Sequence, residues 1–326
     1  MNVKRDVIQW LLEEDNPSVR YRTLKEIMDY SDDTPKIVQA KSAILQSHPV
    51  QTLLEKMHPG GYWLQKNPRT QRVVGDGAEY GSFGTTHFCL SYLSELGITR
   101  SHPQVEQAAE RYLALQQPDG DWRGHYSCLL GYNIRTFVRL GFQEDKHVLR
   151  AMELLDRTCR KDGGFLCDIH ERKTRTKPVK SCFRGSVKAL LAFSEFPNYW
   201  DHPRCKQLVN YFLQRGGIYK SDHQGIPVNR DVQILSFPIT WRANSFEVLY
   251  ALSKMGYGND ERLQDAWSLM EKRADPSGFY RLDWTPSQSP WVVGKRGEEI
   301  KWITFYAAAA RKYRANNLKY QTVTPV

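Results

Sequence analysis

Four side chains have the types for metal or thiol chemistry: His87, Cys128, Cys167 and Cys182. Three thiolates and one imidazole are an ordinary zinc set, and dispersed ligands suffice when a rigid scaffold gathers them. A zinc ion with an open position activates a thiol, a water or a carbonyl. Without a metal, one cysteine, with Cys128 as the catalytic candidate, would act as a nucleophile activated by His87 or by a helix N-terminus. The plain alternative is three separate buried thiols and a satisfied core histidine, since free cysteine is commonly buried. A local set of Cys159, Cys167, His170 and Cys182 has less regular spacing. A second group is acidic. Asp76-Gly77-Ala78-Glu79-Tyr80-Gly81 precedes His87, and Asp76 or Glu79 is placed to serve as general acid or base, with Tyr80 and Tyr126 nearby. A solvated glycine-rich loop is the alternative there, and Asp231 is a weaker candidate of the same kind.

What groups these residues is a repeat. A glycine-plus-aromatic phrase occurs at Gly60-Gly61-Tyr62-Trp63, Asp119-Gly120-Asp121-Trp122, Gly163-Gly164-Phe165, Gly216-Gly217-Ile218-Tyr219 and Ser277-Gly278-Phe279-Tyr280. From Gly61 to Gly278 the steps are 59, 44, 53 and 61 residues, a period that marks repeat architecture. Each phrase is followed by a loop and a mostly apolar helix, expected at about 85–96, 126–140, 182–195, 240–255 and 299–313. More amphipathic helices are expected at about 103–116, 145–159, 202–215 and 260–274. Gly97, Gly141 and Gly256 read as left-handed helix caps. Asn16-Pro17 reads as a helix start, and a helix is expected over about 35–57 with a break near Pro49.

Apolar helices suit an inner ring and amphipathic ones an outer ring. About six such hairpins close into an all-α (α/α)6 toroid; an open helical solenoid is the alternative. The expected division is an N-terminal helical extension over 1–46 packed on the barrel, and the toroid over 47–326. In that register the inner helices begin at one mouth. Cys128-Leu129-Leu130-Gly131 aligns with Cys182-Phe183-Arg184-Gly185, so His87, Cys128, Cys167 and Cys182 are expected to converge there. Trp241, Phe246, Tyr250, Phe137, Tyr132, Trp302 and Tyr306 fall on inner helices, as core or as the lining of an apolar cavity able to stabilise a cation.

Composition narrows the classes. Hydrophobic residues are 40% and aromatic residues 12% of 326, enough for a large core. The start of the chain shows no signal-peptide core, and no apolar run approaches a membrane span, so a cytoplasmic protein is expected. Six cysteines in a long chain without an export signal favour thiols over disulfides. The formal charge of +10 attracts nucleic acid, acidic lipid or phosphorylated metabolites in general. Arg172, Lys173, Arg175, Lys177, Lys180 and Arg184 form its densest stretch. No zinc-finger, RRM or KH signature appears, which disfavours nucleic acid.

Gln116-Gln117-Pro118-Asp119-Gly120-Asp121-Trp122 resembles the QW motif of squalene and terpenoid cyclases. The other copies are similar to the prenyltransferase/squalene-oxidase repeat of protein prenyltransferase β subunits, over roughly residues 47 to 313. The resemblance implies an (α/α)6 barrel around an apolar cavity. A closer resemblance is to single-toroid bacterial proteins of this type. It rests on Thr86-His87-Phe88 before Glu95-Leu96-Gly97, on Asp162 to Cys167, on Ser181-Cys182-Phe183-Arg184-Gly185 before Lys188-Ala189-Leu190, and on Glu298 to Thr304. The DxDD acid of class II cyclases and the DDxxD cluster of class I enzymes are absent, as is the prenyltransferase zinc motif. The expected function is therefore an enzyme acting on a small apolar or isoprenoid-like molecule by acid/base or metal-assisted chemistry, with zinc as the candidate cofactor. The alternative is a non-catalytic toroid that binds a ligand or protein, with any metal purely structural.

Overall fold

The computed structural model describes residues 6–67, 70–75, 82–122, 127–167 and 180–321, with side chains left out at 127, 223, 224 and 317–321. The chain is built of helices: α1 (Val7–Leu11), α2 (Pro17–Arg22, continued by a π-turn over Thr23–Ile27), α3 (Pro35–Leu45), α4 (His48–Glu55), α5 (Thr86–Leu96), α6 (Pro103–Leu113), α7 (Ser127–Arg139), α8 (Lys146–Arg157), α9 (Phe183–Ser194), α10 (Pro203–Leu213), α11 (Ser245–Lys254), α12 (Gln264–Glu271) and α13 (Lys301–Gln321). Two short antiparallel pairs accompany them, β1 (Gln65–Lys66) with β2 (Val73–Val74) and β3 (Tyr219–Lys220) with β4 (His223–Pro227). Among the described residues no helix is long and apolar enough to cross a membrane.

The helix starts follow local chemistry. Asn16 caps α2 by accepting from the Val19 amide, with Pro17 in the first turn. The expected long helix over 35–57 breaks at Gln46-Ser47, and Pro49 sits in the first turn of α4. The helix expected from 240 begins only at Ser245. Asn244 and Glu247 form a reciprocal capping box there, which fixes the start and leaves 240–244 outside the helix.

Contacts between helices run in a closed cycle. α5 packs on α7, α7 on α9, α9 on α11, α11 on α13, α13 on α2, and α2 on α5. Each member has a second helix against it: α6 on α5, α8 on α7, α10 on α9, α12 on α11, α1 on α13 and α3 on α2. The segment 1–46, expected as an extension, thus supplies one member of the cycle and two of the partners. α5, α9 and α11 are buried along nearly their whole length, whereas α6, α8 and α10 bury one stripe.

Four of the five glycine-aromatic turns share one geometry, the exception being that of Gly216-Gly217, where the Gly217 amide donates to the Phe212 carbonyl. Gly61, Gly120, Gly163 and Gly278 all have positive φ. Each donates its amide three residues back, to His58, Gln117, Arg160 and Asp275, and each of those residues donates its amide four residues forward to close the loop. The aromatic is then buried. The Trp63 indole donates to the Leu53 carbonyl and the Trp122 indole to that of Leu113. The turn is tied to the next inner helix by a hydroxyl: Thr86 accepts from the Trp63 amide, Ser186 from that of Phe165, and Thr304 from that of Tyr280.

At Gly163 the geometry excludes a side chain. Its φ is +82°, and an added Cβ would lie 2.5 Å from the Gln207 carbonyl oxygen on α10. Gly163→Ala is expected to lower the unfolding free energy by about 2–4 kcal/mol, combining left-handed strain with backbone overlap. Urea denaturation read by circular dichroism measures it; an unchanged midpoint would show that the turn does not hold α8 against α10.

Candidate functional site

α9 shows how the interior is layered. Arg184, Lys188 and Glu195 follow one another along it, spanning about 16 Å of helix axis. Each belongs to a different polar cluster.

The first cluster lies at the start of α9. Asp231, buried in the loop before α11, accepts from Arg184 Nε at 2.7 Å and from Arg242 Nη1 at 2.8 Å. The guanidiniums stack on tryptophans: Arg184 lies 4.7 Å from the Trp241 ring centre and Arg242 lies 4.5 Å from that of Trp284. Both arginines remain half-buried. Trp284 meets Phe83, which immediately precedes α5.

One turn further along α9, Lys188 Nζ donates to Glu247 Oε2 on α11, and both side chains are fully buried. The other Glu247 oxygen accepts from the Asn244 amide, so the helix cap also aims the carboxylate. Burial pushes the Lys188 ammonium below its ordinary value and the Glu247 carboxyl above its own, against the mutual attraction that opposes both shifts. The free-energy gap between the ion pair and the neutral pair is therefore narrowed. Gly131 of α7 lies under this pair. A Cβ there would sit 2.5 Å from the Lys188 carbonyl carbon, so glycine is what lets α7 and α9 touch backbone to backbone.

The third cluster ties the far ends of the inner helices together. Glu95, at the end of α5, accepts from Arg22 Nη1, from the Tyr306 hydroxyl, and from Arg135 Nη1 at 2.9 Å. Arg135 and Arg22 also donate to the Tyr306 hydroxyl, at 2.9 and 3.0 Å. Glu195 receives Lys254 Nζ at 2.6 Å and Arg139 Nη1 at 3.4 Å. Glu26 receives Arg22 Nε at 2.7 Å and the Tyr250 hydroxyl at 2.8 Å. Burial pushes the carboxyls of Glu95, Glu195 and Glu26 up, but the surrounding cations outweigh it, holding Glu95 and Glu195 well below the usual carboxylate range and Glu26 below it. Burial raises the Tyr306 phenol to about 12.

Between these polar levels the packing is aromatic. Phe237, fully buried, stacks on Trp302 with centroids 4.9 Å apart and meets Trp291 edge-on at 5.5 Å. Tyr92 meets Trp291 at 5.6 Å. The Tyr132 hydroxyl donates to the Ile239 carbonyl at 3.2 Å, joining α7 to the loop before α11. The aromatic residues expected on the inner helices are thus buried against one another as core, above an ionic floor.

The sequence-predicted site residues are distributed differently from the expectation. Cys128 is the second residue of α7 and Cys182 the N-cap of α9, both near the start of an inner helix but two positions apart in register. The Cys182 amide donates to the Phe165 carbonyl, and Cys167 is buried in the same loop. His87, however, sits against Phe88 at 4.2 Å, Tyr132 at 6.2 Å and Tyr112 of α6 at 6.4 Å, with Nδ1 3.5 Å from the Thr85 hydroxyl. Its ring thus lies between the inner helix α7 and the partner helix α6. Among the described residues no group of three or more His, Cys, Asp or Glu side chains is placed to hold a metal ion, so His87, Cys128, Cys167 and Cys182 do not form one together. A shared register fixes height along the helices, but not which side of each helix a residue faces. Asp76 and Glu79, with Tyr80, Tyr126, His170 and the stretch 172–177, lie outside the described residues. Burial pushes the thiols of Cys89 and Cys159 up, and that of Cys205 to about 12, which disfavours thiolate at those three.

Glu95, Arg135, Lys188, Glu195 and Glu247 were not singled out from the sequence. Their signal was present: each is a charge inside, or for Glu195 just after, a mostly apolar helix, as in Val187-Lys188-Ala189-Leu190-Leu191 and Phe246-Glu247-Val248-Leu249.

No protein-family model matches the chain, and no curated protein matches it. Among solved structures, the chain is similar to the type II terpene cyclase MstE from Scytonema. The apo form is 14% identical with a TM-score of 0.33, covering 85% of this chain and 98% of that chain. A variant in complex with its product merosterolic acid A is 15% identical with a TM-score of 0.34, covering 84% and 96%. A protein from Actinoplanes is 12% identical with a TM-score of 0.30, covering 84% and 98%. Scores this low define no residue equivalences.

The three depressed carboxylates set an acid limit. Each contributes stability above the ordinary carboxylate pKa of about 4.3, and that stability is lost as pH falls from there toward the depressed folded values. Melting temperature is therefore expected to fall steeply below about pH 4. Glu95→Ala, which leaves guanidiniums uncompensated, is expected to cost about 3–5 kcal/mol near neutral pH and to flatten this acid dependence. An unchanged acid profile in Glu95→Ala would show that the cluster does not govern acid stability.

Proposed function

We propose that the closed cycle of helix pairs is an (α/α)6 toroid, and that its interior is an acid–base active site for a small apolar, isoprenoid-like molecule. The observation that carries this reading is the Lys188–Glu247 pair. A protein that needed only a bolt between α9 and α11 would lose nothing by a hydrophobic contact there, because a buried ion pair gives little net stability over a well-packed apolar one. A buried carboxyl shifted upward is, however, what proton transfer near neutral pH requires. Glu247 is assigned as proton donor and Lys188 as the group that restores its protonation state. The aromatic side chains of Tyr132, Phe237, Trp302 and Tyr306 would face the substrate's apolar body and stabilise positive charge developing on it. Arg184 and Arg242, held on Trp241 and Trp284, would stand at the entrance and receive an acidic headgroup.

The resemblance of the repeat to terpenoid cyclases and prenyltransferase subunits suggests the substrate class, and the missing DxDD acid leaves a vacancy that Glu247 would fill. Zinc is not required by this scheme.

The test is a screen of prenyl diphosphates, prenyl alcohols and prenylated acids for thermal stabilisation and for product by mass spectrometry. Glu247→Gln preserves the cap geometry and removes the acid, so it is expected to bind with little change and to lower turnover by at least about a hundredfold. Turnover by Glu247→Gln at the wild-type rate, or no binding and no product across the series, would overturn the reading.

A further inference from the structure

Beside the partner helix α10 the surface opens into a cleft of about 950 Å3. Gln207, Asn210, Tyr211 and Gln214 line it from one side, and their i, i+3, i+4, i+7 spacing is a single face of α10 running into its C-cap. Three separate pieces of chain line it from the other. These are the turn at Lys161-Asp162-Gly163, the pair Lys180-Ser181 ahead of α9, and Lys220-Ser221-Asp222 at the β3–β4 hairpin.

Four cations border this space, Lys161, Lys180, Arg215 and Lys220, against the two carboxylates of Asp162 and Asp222. Both carboxylates are already engaged. Asp162 Oδ1 accepts from the Ser181 hydroxyl at 2.6 Å and from the Gly164 amide at 3.2 Å. Asp222 takes Lys180 Nζ at 3.0 Å. Among the described residues Lys161, Arg215 and Lys220 meet no carboxylate. Arg215 is nonetheless fixed in place. Its Nε donates to the Tyr211 carbonyl at 2.8 Å, and its guanidinium lies 3.7 Å from the Tyr211 ring centre. Three cations without carboxylates around one concave space attract an anion with several oxygens, which charge-assisted hydrogen bonds would hold.

The remaining lining suits hydroxyl groups. The side chains of Asn210, Gln214 and Ser221 are exposed, and among the described residues they make no hydrogen bond. Together they offer both donors and acceptors. No aromatic face is open: Phe183 and Tyr211 are buried, and Arg215 covers the Tyr211 ring. A nucleobase would have no ring to stack on. We propose that this cleft binds the phosphate monoester of a sugar or small polyol. The phosphate would sit among Lys161, Arg215 and Lys220, and the hydroxyls on Asn210, Gln214 and Ser221. The cleft shares no residue with the Lys188–Glu247 pair, so the proposal stands apart from proton transfer in the interior.

Isothermal titration calorimetry of the full chain tests it, with glucose 6-phosphate, ribose 5-phosphate and glycerol 3-phosphate as ligands. Glucose, inorganic phosphate and AMP are the controls. At least one ester is expected to bind with a Kd below about 1 mM, and more than about tenfold tighter than glucose or inorganic phosphate. Lys161→Gln with Lys220→Gln is expected to weaken that ester by more than about tenfold. The melting temperature should not move, since both side chains are exposed. Glu247→Gln is expected to bind the ester as the wild type does, which separates this site from the interior one. Absence of saturable binding by all three esters would overturn the proposal. So would an unchanged affinity in the lysine double variant, which would put the ligand elsewhere. Inorganic phosphate binding as tightly as the esters would reduce the cleft to general attraction for anions, and tighter binding of AMP would make it a nucleotide site; either result defeats the assignment.

Discussion

The Glu95 carboxylate is the constraint around which the inner helices are arranged. It takes an arginine from α2, an arginine from α7 and a phenol from α13 while standing at the end of α5. Four members of the helix cycle therefore meet at one ionised group out of contact with water. Such a charge is tolerated only when every neighbour is in place, because an uncompensated ion in a low-dielectric interior costs several kcal/mol. Closure of the cycle and satisfaction of Glu95 are one event: α2 must come round to α13 and α5 before Arg22 can reach its partners.

That constraint explains the role of the N-terminal segment. Arg22 sits under Phe305 and Tyr306 and reaches both Glu95 and Glu26. The π-turn over Thr23–Ile27 follows it directly, and Glu26 within that turn takes the Tyr250 hydroxyl of α11. A segment that reads in sequence as an appendage thereby completes the interior. It also sets the polarity of that interior, with a sealed ionic floor at the ends of the inner helices, an aromatic middle, and a stacked arginine pair at their beginnings.

Legibility of the sequence differed by level. Gly61, Gly120, Gly163 and Gly278 announced the turns because a left-handed cap is a local requirement that glycine meets most readily. The helices between them were legible from apolar periodicity, with errors where a side chain set the boundary, as Asn244 and Glu247 do for α11. The cysteines and His87 were grouped by height alone. Height alone does not make a metal site, and no group of three or more such side chains is placed to hold a metal among the described residues, because packing sets the azimuth of each helix.

The sequence by itself determined the repeat and most of the helices, since both rest on spacing along the chain and on local backbone preference. It also carried, unremarked, the charges inside apolar helices. Only the tertiary structure decided which of them meet. Glu95 and Tyr306 are separated by 211 positions, and Lys188 and Glu247 by 59. No local rule connects such pairs. They are chosen by the rotation of each helix about its own axis, which depends on how all the inner faces pack at once, and by the demand that no buried charge be left without a partner.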